Sequence, residues 1–98
     1  MNKNNDGIKK QLIESLTGEL PVLRAKGRLS QEDIAEAIGM SRQTYGSIET
    51  GKREMSWKTF LALIAFFQNN DNTKIMINNM DEIIRGINII VRSSGSHE

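Results

Sequence analysis

Residues Gln31–Glu49 read QEDIAEAIGMSRQTYGSIE, and the spacing within this stretch decides the fold. Counted from Gln31, Ala35 is fifth, Gly39 ninth, Tyr45 fifteenth and Ile48 eighteenth. A small residue at Ala35 lets two helix backbones approach closely. Gly39 supplies the left-handed turn conformation that other residues adopt only at a cost. Tyr45 and Ile48, three apart, fall on one side of a helix. The stretch therefore predicts two short helices, over 31–38 and 42–49, crossing at a tight turn.

The flanks support this reading. Ser30 precedes the first helix with Asp33 three residues on, a variant of the capping box. Ser41 is placed to cap the second helix. At Ile48-Glu49-Thr50-Gly51-Lys52 a glycine with a cation just beyond marks a helix stop. Two helices joined in this way form a helix-turn-helix, whose second helix enters a DNA major groove.

The longer run LPVLRAKGRLSQEDIAEAIGMSRQTYGSIETGKREMSWKTFLALIAFF, residues 20–67, resembles the Cro and lambda-repressor-like family, also called the XRE family. The segments LSQEDIAEAIGMSRQT and IETGKR carry most of the resemblance. It implies an all-α fold: a lambda-repressor-like DNA-binding domain, a five-helix bundle with a helix-turn-helix, plus extra N-terminal and C-terminal helical segments.

A chain of 98 residues has room for a single domain, 1–98, with one modest core. Its parts are a helix-turn-helix core at 20–67, an N-terminal helical extension at 7–16 and a C-terminal segment at 72–92 suited to dimerisation. Residues 1–6 read as frayed and SSGSHE as a disordered end. Ile8, Leu12, Ile13 and Leu16 form one helical stripe. Thr17-Gly18 and Pro21 then interrupt it, predicting a helix near 7–16 and another near 19–26, with a single kinked helix as the alternative. Ser56 is placed to cap a helix of about 57–67, with Phe60, Leu61, Ile64 and Phe67 on its apolar face. After the polar break QNNDN, the residues Met76, Met80, Ile83, Ile84, Ile87 and Val91 form a helical stripe. Helix is expected to about Arg85. Beyond it the β-branched INIIV run is open to helix or strand, because Gly86 weakens helix there.

The net charge of +1 says little about partners, but its distribution says more. Arg42, Lys52, Arg53 and Lys58 cluster in and after the second motif helix, and Arg24, Lys26 and Arg28 precede the motif. Glu32 and Asp33 favour the positive end of the first motif helix. Cysteine is absent, and the lone His97 lies beside the terminus. With no nucleotide-binding glycine loop and no metal-ligand cluster either, the chain is expected to be no enzyme and to need no metal or cofactor. A polar start, NKNNDG, and no apolar run of membrane-spanning length point to a soluble cytoplasmic protein.

The outward face and N-terminal end of the second motif helix should reach base edges, which selects Arg42, Gln43, Thr44 and Ser47. Arg42 suits the two acceptors of guanine, and Gln43 the donor–acceptor pair of adenine. Gln31, Ser41, Tyr45, Lys52 and Arg53 are the candidate phosphate contacts, with Arg28 and Lys58 as weaker ones. The family resemblance implies that Gln31 braces the second helix. It also implies that Arg24 and Glu49 form an interhelical ion pair with a structural role. Tyr45 departs from the aliphatic residue usual in the family, and its hydroxyl needs a partner or an exit to solvent. Glu54 stands where basic residues are common.

These features predict a sequence-specific regulator of transcription that binds double-stranded DNA, acting as a repressor and as a homodimer on a palindromic operator. The alternative is an antitoxin or other regulator that neutralises a protein partner through its C-terminal segment. That segment either forms the dimer contact or completes the monomer core.

Overall fold

The computed structural model describes residues 3–95, and all its regular elements are helices. They are α1 (Lys3–Gly27), α2 (Gln31–Ile38), α3 (Arg42–Glu49), α4 (Trp57–Gln68), α5 (Lys74–Asn78) and α6 (Asp81–Gly95). The fold is an all-α helix-turn-helix fold. No strand occurs among the described residues, so the INIIV run is helical.

The N-terminal half differs from the expectation of two helices. One helix of 25 residues, α1, runs through Thr17-Gly18 and Pro21. Leu12, Leu16, Leu20 and Leu23 follow one another at steps of four and three, and all are buried. A proline inside a helix costs ~3 kcal/mol. Here the apolar stripe continues on both sides of it, so packing overrides the local preference. Pro21 itself is exposed, and water can reach the backbone around it. Residues 3–6, expected to fray, belong to α1, and residues 93–95 belong to α6. Residues 1–2 and 96–98, including His97, lie outside the described residues.

The short helices start and stop as their caps dictate. Ser30 Oγ accepts from the Asp33 amide at 2.9 Å, and the Asp33 carboxylate accepts from the Ser30 amide at 2.9 Å. Ser41 Oγ accepts from the Thr44 amide at 3.0 Å, and Ser56 Oγ from the Thr59 amide at 3.0 Å. Each serine satisfies an N–H that its helix leaves unpaired. Gly39 ends α2 with φ of 81°, in the left-handed region. The Met40 amide then donates back to Ala35 O at 2.9 Å, which turns the chain directly into α3.

The core lies where α1, α2, α3 and α4 converge. Ile34, Ala35, Tyr45, Ile48, Met55, Phe60, Leu63, Ile64 and Phe67 are buried against the α1 leucines. On α4 the buried face is 60/63/64/67. Leu63 takes the inward place that Leu61 was expected to hold, and Leu61 is exposed. The polar break before α5 is satisfied internally, with the buried Thr73 hydroxyl donating to Phe67 O at 2.8 Å.

Helix α6 closes the bundle by lying along α1. The expected stripe through Met76, Met80, Ile83, Ile84, Ile87 and Val91 divides between α5 and α6. Ile77, Ile83 and Ile90 are buried, whereas Val91 is 59% exposed. Gly86 explains why the tail stays helical. A Cβ there would stand 2.6 Å from Leu12 Cδ2 and 2.7 Å from Leu12 Cδ1, so the glycine lets α6 sit directly on α1. The tail thus completes the core on one face while leaving apolar residues on another.

Two stability predictions follow from this geometry. Gly86→Ala gains helix propensity, but it drives a methyl into the side chain of Leu12, which is 2% exposed and must shift within the core. We expect a net loss of ~1–2 kcal/mol in urea unfolding, in the usual range for overpacking. The companion Leu12→Val should recover part of the loss caused by Gly86→Ala. In the other direction, Arg28 has φ of 55°. Left-handed backbone costs a non-glycine residue ~1–2 kcal/mol, and glycine's own flexibility returns ~0.5–1 kcal/mol of that. Arg28→Gly should therefore raise the urea midpoint by the equivalent of ~0.5–1 kcal/mol with an unchanged slope.

Candidate nucleic-acid interface

Helix α3 has two differentiated sides. Tyr45 and Ile48 point inward and are 0% and 3% exposed. Arg42 and Gln43 are exposed, and Thr44 and Ser47 are half-buried beside them. Arg42, Gln43 and Ser47 thus lie on a continuous outward surface at and beyond the helix N-terminus. Thr44 is partly engaged already, because its hydroxyl accepts from Ser41 Oγ at 2.9 Å. Ser41 is exposed but committed to the cap, so its hydroxyl serves the helix before any ligand.

Just past α3 the chain turns at Gly51, with φ of 82°, and the Arg53 amide donates to Ser47 O at 3.1 Å. This holds the loop against α3 while the Lys52 and Arg53 side chains face solvent. Lys58, near the start of α4, and Arg28, before α2, are also exposed cations. Glu54 is exposed in the same loop, which dilutes its positive charge.

The far end of α3 is tied to α1. Arg24 Nε donates to Glu49 Oε1 at 2.9 Å and Arg24 Nη2 to Glu49 Oε2 at 3.0 Å, a two-pronged pair. Arg24 Nη1 also donates to Leu29 O at 3.2 Å, so one guanidinium fastens α1, α3 and the turn before α2. The Glu49 side chain is 8% exposed and that of Arg24 27% exposed. Burial alone would raise the Glu49 pKa. The Arg24 hydrogen bonds, the nearby Tyr45 hydroxyl and the Arg24 charge outweigh burial and hold it below the ordinary value, with Gln31 contributing in the same direction. The Arg24 pKa is raised by the same contact.

Tyr45 differs from its expected role as a phosphate contact. Its ring and hydroxyl are fully enclosed, so DNA cannot reach them. The hydroxyl meets no partner in hydrogen-bonding geometry. Burial, and then the nearby Glu49 carboxylate, raise its pKa well beyond the usual phenol range. Tyr45 is therefore a core residue. Its aromatic bulk fills a place that the sequence pattern marks as apolar, and its burial is why the polar tip finds no exit.

Gln31 opens α2 and reaches across to α3. Arg42 Nη1 donates to Gln31 Oε1 at 3.4 Å, a long hydrogen bond. The same oxygen stands close over Gly46. This Gln31–Gly46 contact was missed in the sequence. The available signal was a glycine in the interior of an eight-residue helix, where propensity argues against it. Among the described residues no three His, Cys, Asp or Glu side chains come together as a metal site. Among them too, no helix is long and apolar enough to cross a membrane.

A helix with a buried anchor face, an outward polar face and exposed cations beyond its end has the arrangement of a DNA-reading helix. The chain belongs to the helix-turn-helix domain family, whose pattern it matches over residues 15–71. That match spans the second half of α1 through α4. Over 52 residues the chain is 40% identical to an uncharacterized HTH-type transcriptional regulator of Methanocaldococcus jannaschii, which covers 53% of this chain and 79% of that protein. No solved structure gives a significant match.

The Arg24–Glu49 pair yields a pH prediction. A carboxyl whose pKa is lower in the folded state stabilises the fold above its unfolded pKa, near ~4.3 for glutamate, and that stability is lost as pH falls through the folded value. Stability measured by urea unfolding should therefore drop below pH ~4.3, and Glu49→Gln should remove part of that drop. Arg24→Ala leaves a mostly buried carboxylate without its cation. It should cost ~1–3 kcal/mol at pH 7, less than a fully buried pair because the arginine is partly solvated. Tyr45→Phe removes a hydroxyl without a partner, and should leave stability unchanged or raise it by up to ~1 kcal/mol.

Proposed function

We propose that this protein is a transcriptional regulator of the Cro and lambda-repressor-like (XRE) type, reading double-stranded DNA as a homodimer on a palindromic operator and acting as a repressor. The observation that carries this reading is the outward surface of α3, where Arg42 and Gln43 are exposed beside a capped helix N-terminus. Arg42 offers two parallel donors to guanine O6 and N7, and Gln43 offers a donor and an acceptor to adenine. Ser47 and Thr44 extend the contact along the groove. Gln31, Ser41, Lys52 and Arg53 approach phosphates on either side and set affinity and its salt dependence. A domain this small spans few base pairs, so a two-fold pair of copies is the economical way to a longer site. The outward residues of α6, with Val91 59% and Ile89 50% exposed, are the surface assigned to that pairing. Occupation of a promoter suffices for repression, with no effector domain required.

Selection of sites from randomised duplex DNA at near-physiological salt tests this directly. The expected result is a palindrome. Arg42→Ala and Gln43→Ala should each relax one base position in both half-sites, by ~1–3 kcal/mol of discrimination. Lys52→Ala and Arg53→Ala should instead weaken binding to all sequences and each reduce the salt slope by about one. Sedimentation at micromolar concentration checks the dimer, and Val91→Lys should shift it to monomer without altering the fold. Failure of the folded protein to enrich any sequence would reject autonomous DNA reading and favour an antitoxin-like role that depends on a protein partner.

A further inference from the structure

Gly46 occupies the interior of α3, where glycine costs ~1 kcal/mol relative to alanine. Nothing in the backbone requires it, since its φ is helical rather than positive. Its reason lies in what rests upon it. A Cβ at this position would stand 3.3 Å from Gln31 Oε1 and 3.9 Å from Gln31 Cδ and Nε2. The amide of Gln31 therefore rests against this position, with its oxygen closer than a Cβ would comfortably allow.

Gly46 is in the middle of a stripe. Arg42, Gly46 and Glu49 follow one another at steps of four and three, so they share one edge of α3 between its buried and outward faces. The ends of the stripe carry opposite charges about 10 Å apart along the helix, too far to pair with each other. Gln31 lies between them. Its carbonyl oxygen accepts from Arg42 Nη1 at 3.4 Å, and Gln31 also helps to hold the Glu49 carboxyl below its ordinary pKa. Glu49 is in turn fixed by Arg24. Gln31 is itself held at its root, being the first residue of α2 beside the Ser30–Asp33 cap.

The geometry points to Gly46 as a specificity-positioning residue: by leaving room for the Gln31 amide, it lets that amide aim the Arg42 guanidinium at its base. This rests on the reading of Arg42 as a base contact. Gly46 touches no DNA in this role and acts only through Gln31. A methyl at position 46 pushes the Gln31 oxygen back by a few tenths of an ångström, which carries its long 3.4 Å bond to Arg42 out of hydrogen-bonding range, and Arg42 then spreads over more rotamers. Helix propensity changes in the opposite direction, so the fold gains while recognition loses.

The test is a double-mutant cycle on Gly46→Ala and Gln31→Ala, read as discrimination at the base position that Arg42→Ala relaxes. Gly46→Ala should lower that discrimination about fivefold, the low end of what a bidentate base contact provides, without lowering the melting temperature. In the Gln31→Ala background, Gly46→Ala should have no further effect on discrimination. A second readout needs no DNA: 15N relaxation of the Arg42 Nε–H in the free protein should report greater mobility in Gly46→Ala than in the parent. Unchanged Arg42 mobility in Gly46→Ala overturns the proposal, as does an equal effect of Gly46→Ala on discrimination with and without Gln31. If Arg42→Ala relaxes a base but Gly46→Ala does not, the positioning role fails while the DNA-reading function stands. If the parent protein selects no sequence, both fall together.

Discussion

An eight-residue helix made of Arg, Gln, Thr, Tyr, Gly, Ser, Ile and Glu does not hold itself together in water, because helices of that length are marginal even with the best formers. Helix α3 exists because it is docked. Tyr45 and Ile48 bury one side of it, and the Arg24–Glu49 pair fastens its end to α1. The ion pair does what apolar contacts alone do not. Its two parallel hydrogen bonds fix the rotation and reach of α3 relative to α1, and the third bond, from Arg24 to Leu29 O, ties in the turn that starts α2. Angle and register of the outward face follow from that one guanidinium. The unusual length of α1 fits the same constraint. Its C-terminal part must present Arg24 to α3, while its N-terminal half must present Leu12 to α6, and one rigid element does both.

Legibility in the sequence varied with how local the determining physics was. The bounds of α2 and α3, their serine caps and the left-handed Gly39 could be read from residues three or four apart, because caps and turns are decided within one helical turn. The Arg24–Glu49 partnership was legible only through family resemblance, since nothing local pairs residues 25 positions apart. Helix α1 was misread as two helices because Pro21 and Gly18 are strong local signals against it. The leucine stripe that overrides them acts through packing partners the sequence does not display. Leu63 and Leu61 were exchanged for a related reason, because α4 is apolar nearly all round and only its neighbours choose the inward side. Tyr45 was assigned to DNA from its hydroxyl, whereas its place in the stripe with Ile48 had already committed its ring to the core.

The electrostatics explain how a chain with net charge +1 presents a surface to a polyanion. Of the acids nearest the motif, Glu49 is paired with a cation inside the fold, while Asp33 stays exposed at the positive end of α2. Asp33 is bonded to the Ser30 amide, which lowers its pKa, and Glu49 is covered by Arg24. Arg42 at the start of α3 and Lys52 and Arg53 beyond its end have solvent-facing side chains. Net charge is a sum over the whole surface, while a phosphate within a Debye length of ~8–10 Å responds to the local balance.

The outward face of α3 also shows how stability is distributed. Thr44, Ser47 and Gly46 are poor helix formers, and each serves the surface or its supports rather than the helix. Their cost falls on α1 and α4, whose leucines and phenylalanines form the core against which α3 docks. With its cohesion supplied from outside, α3 can exchange outward residues without losing its place, provided that Tyr45, Ile48 and Glu49 remain. The sequence choices that set what the helix reads are thus separated in space from those that hold it. Gly46 and Gln31 are where the two sets meet, since one glycine in the helix both weakens it and seats the amide beside Arg42.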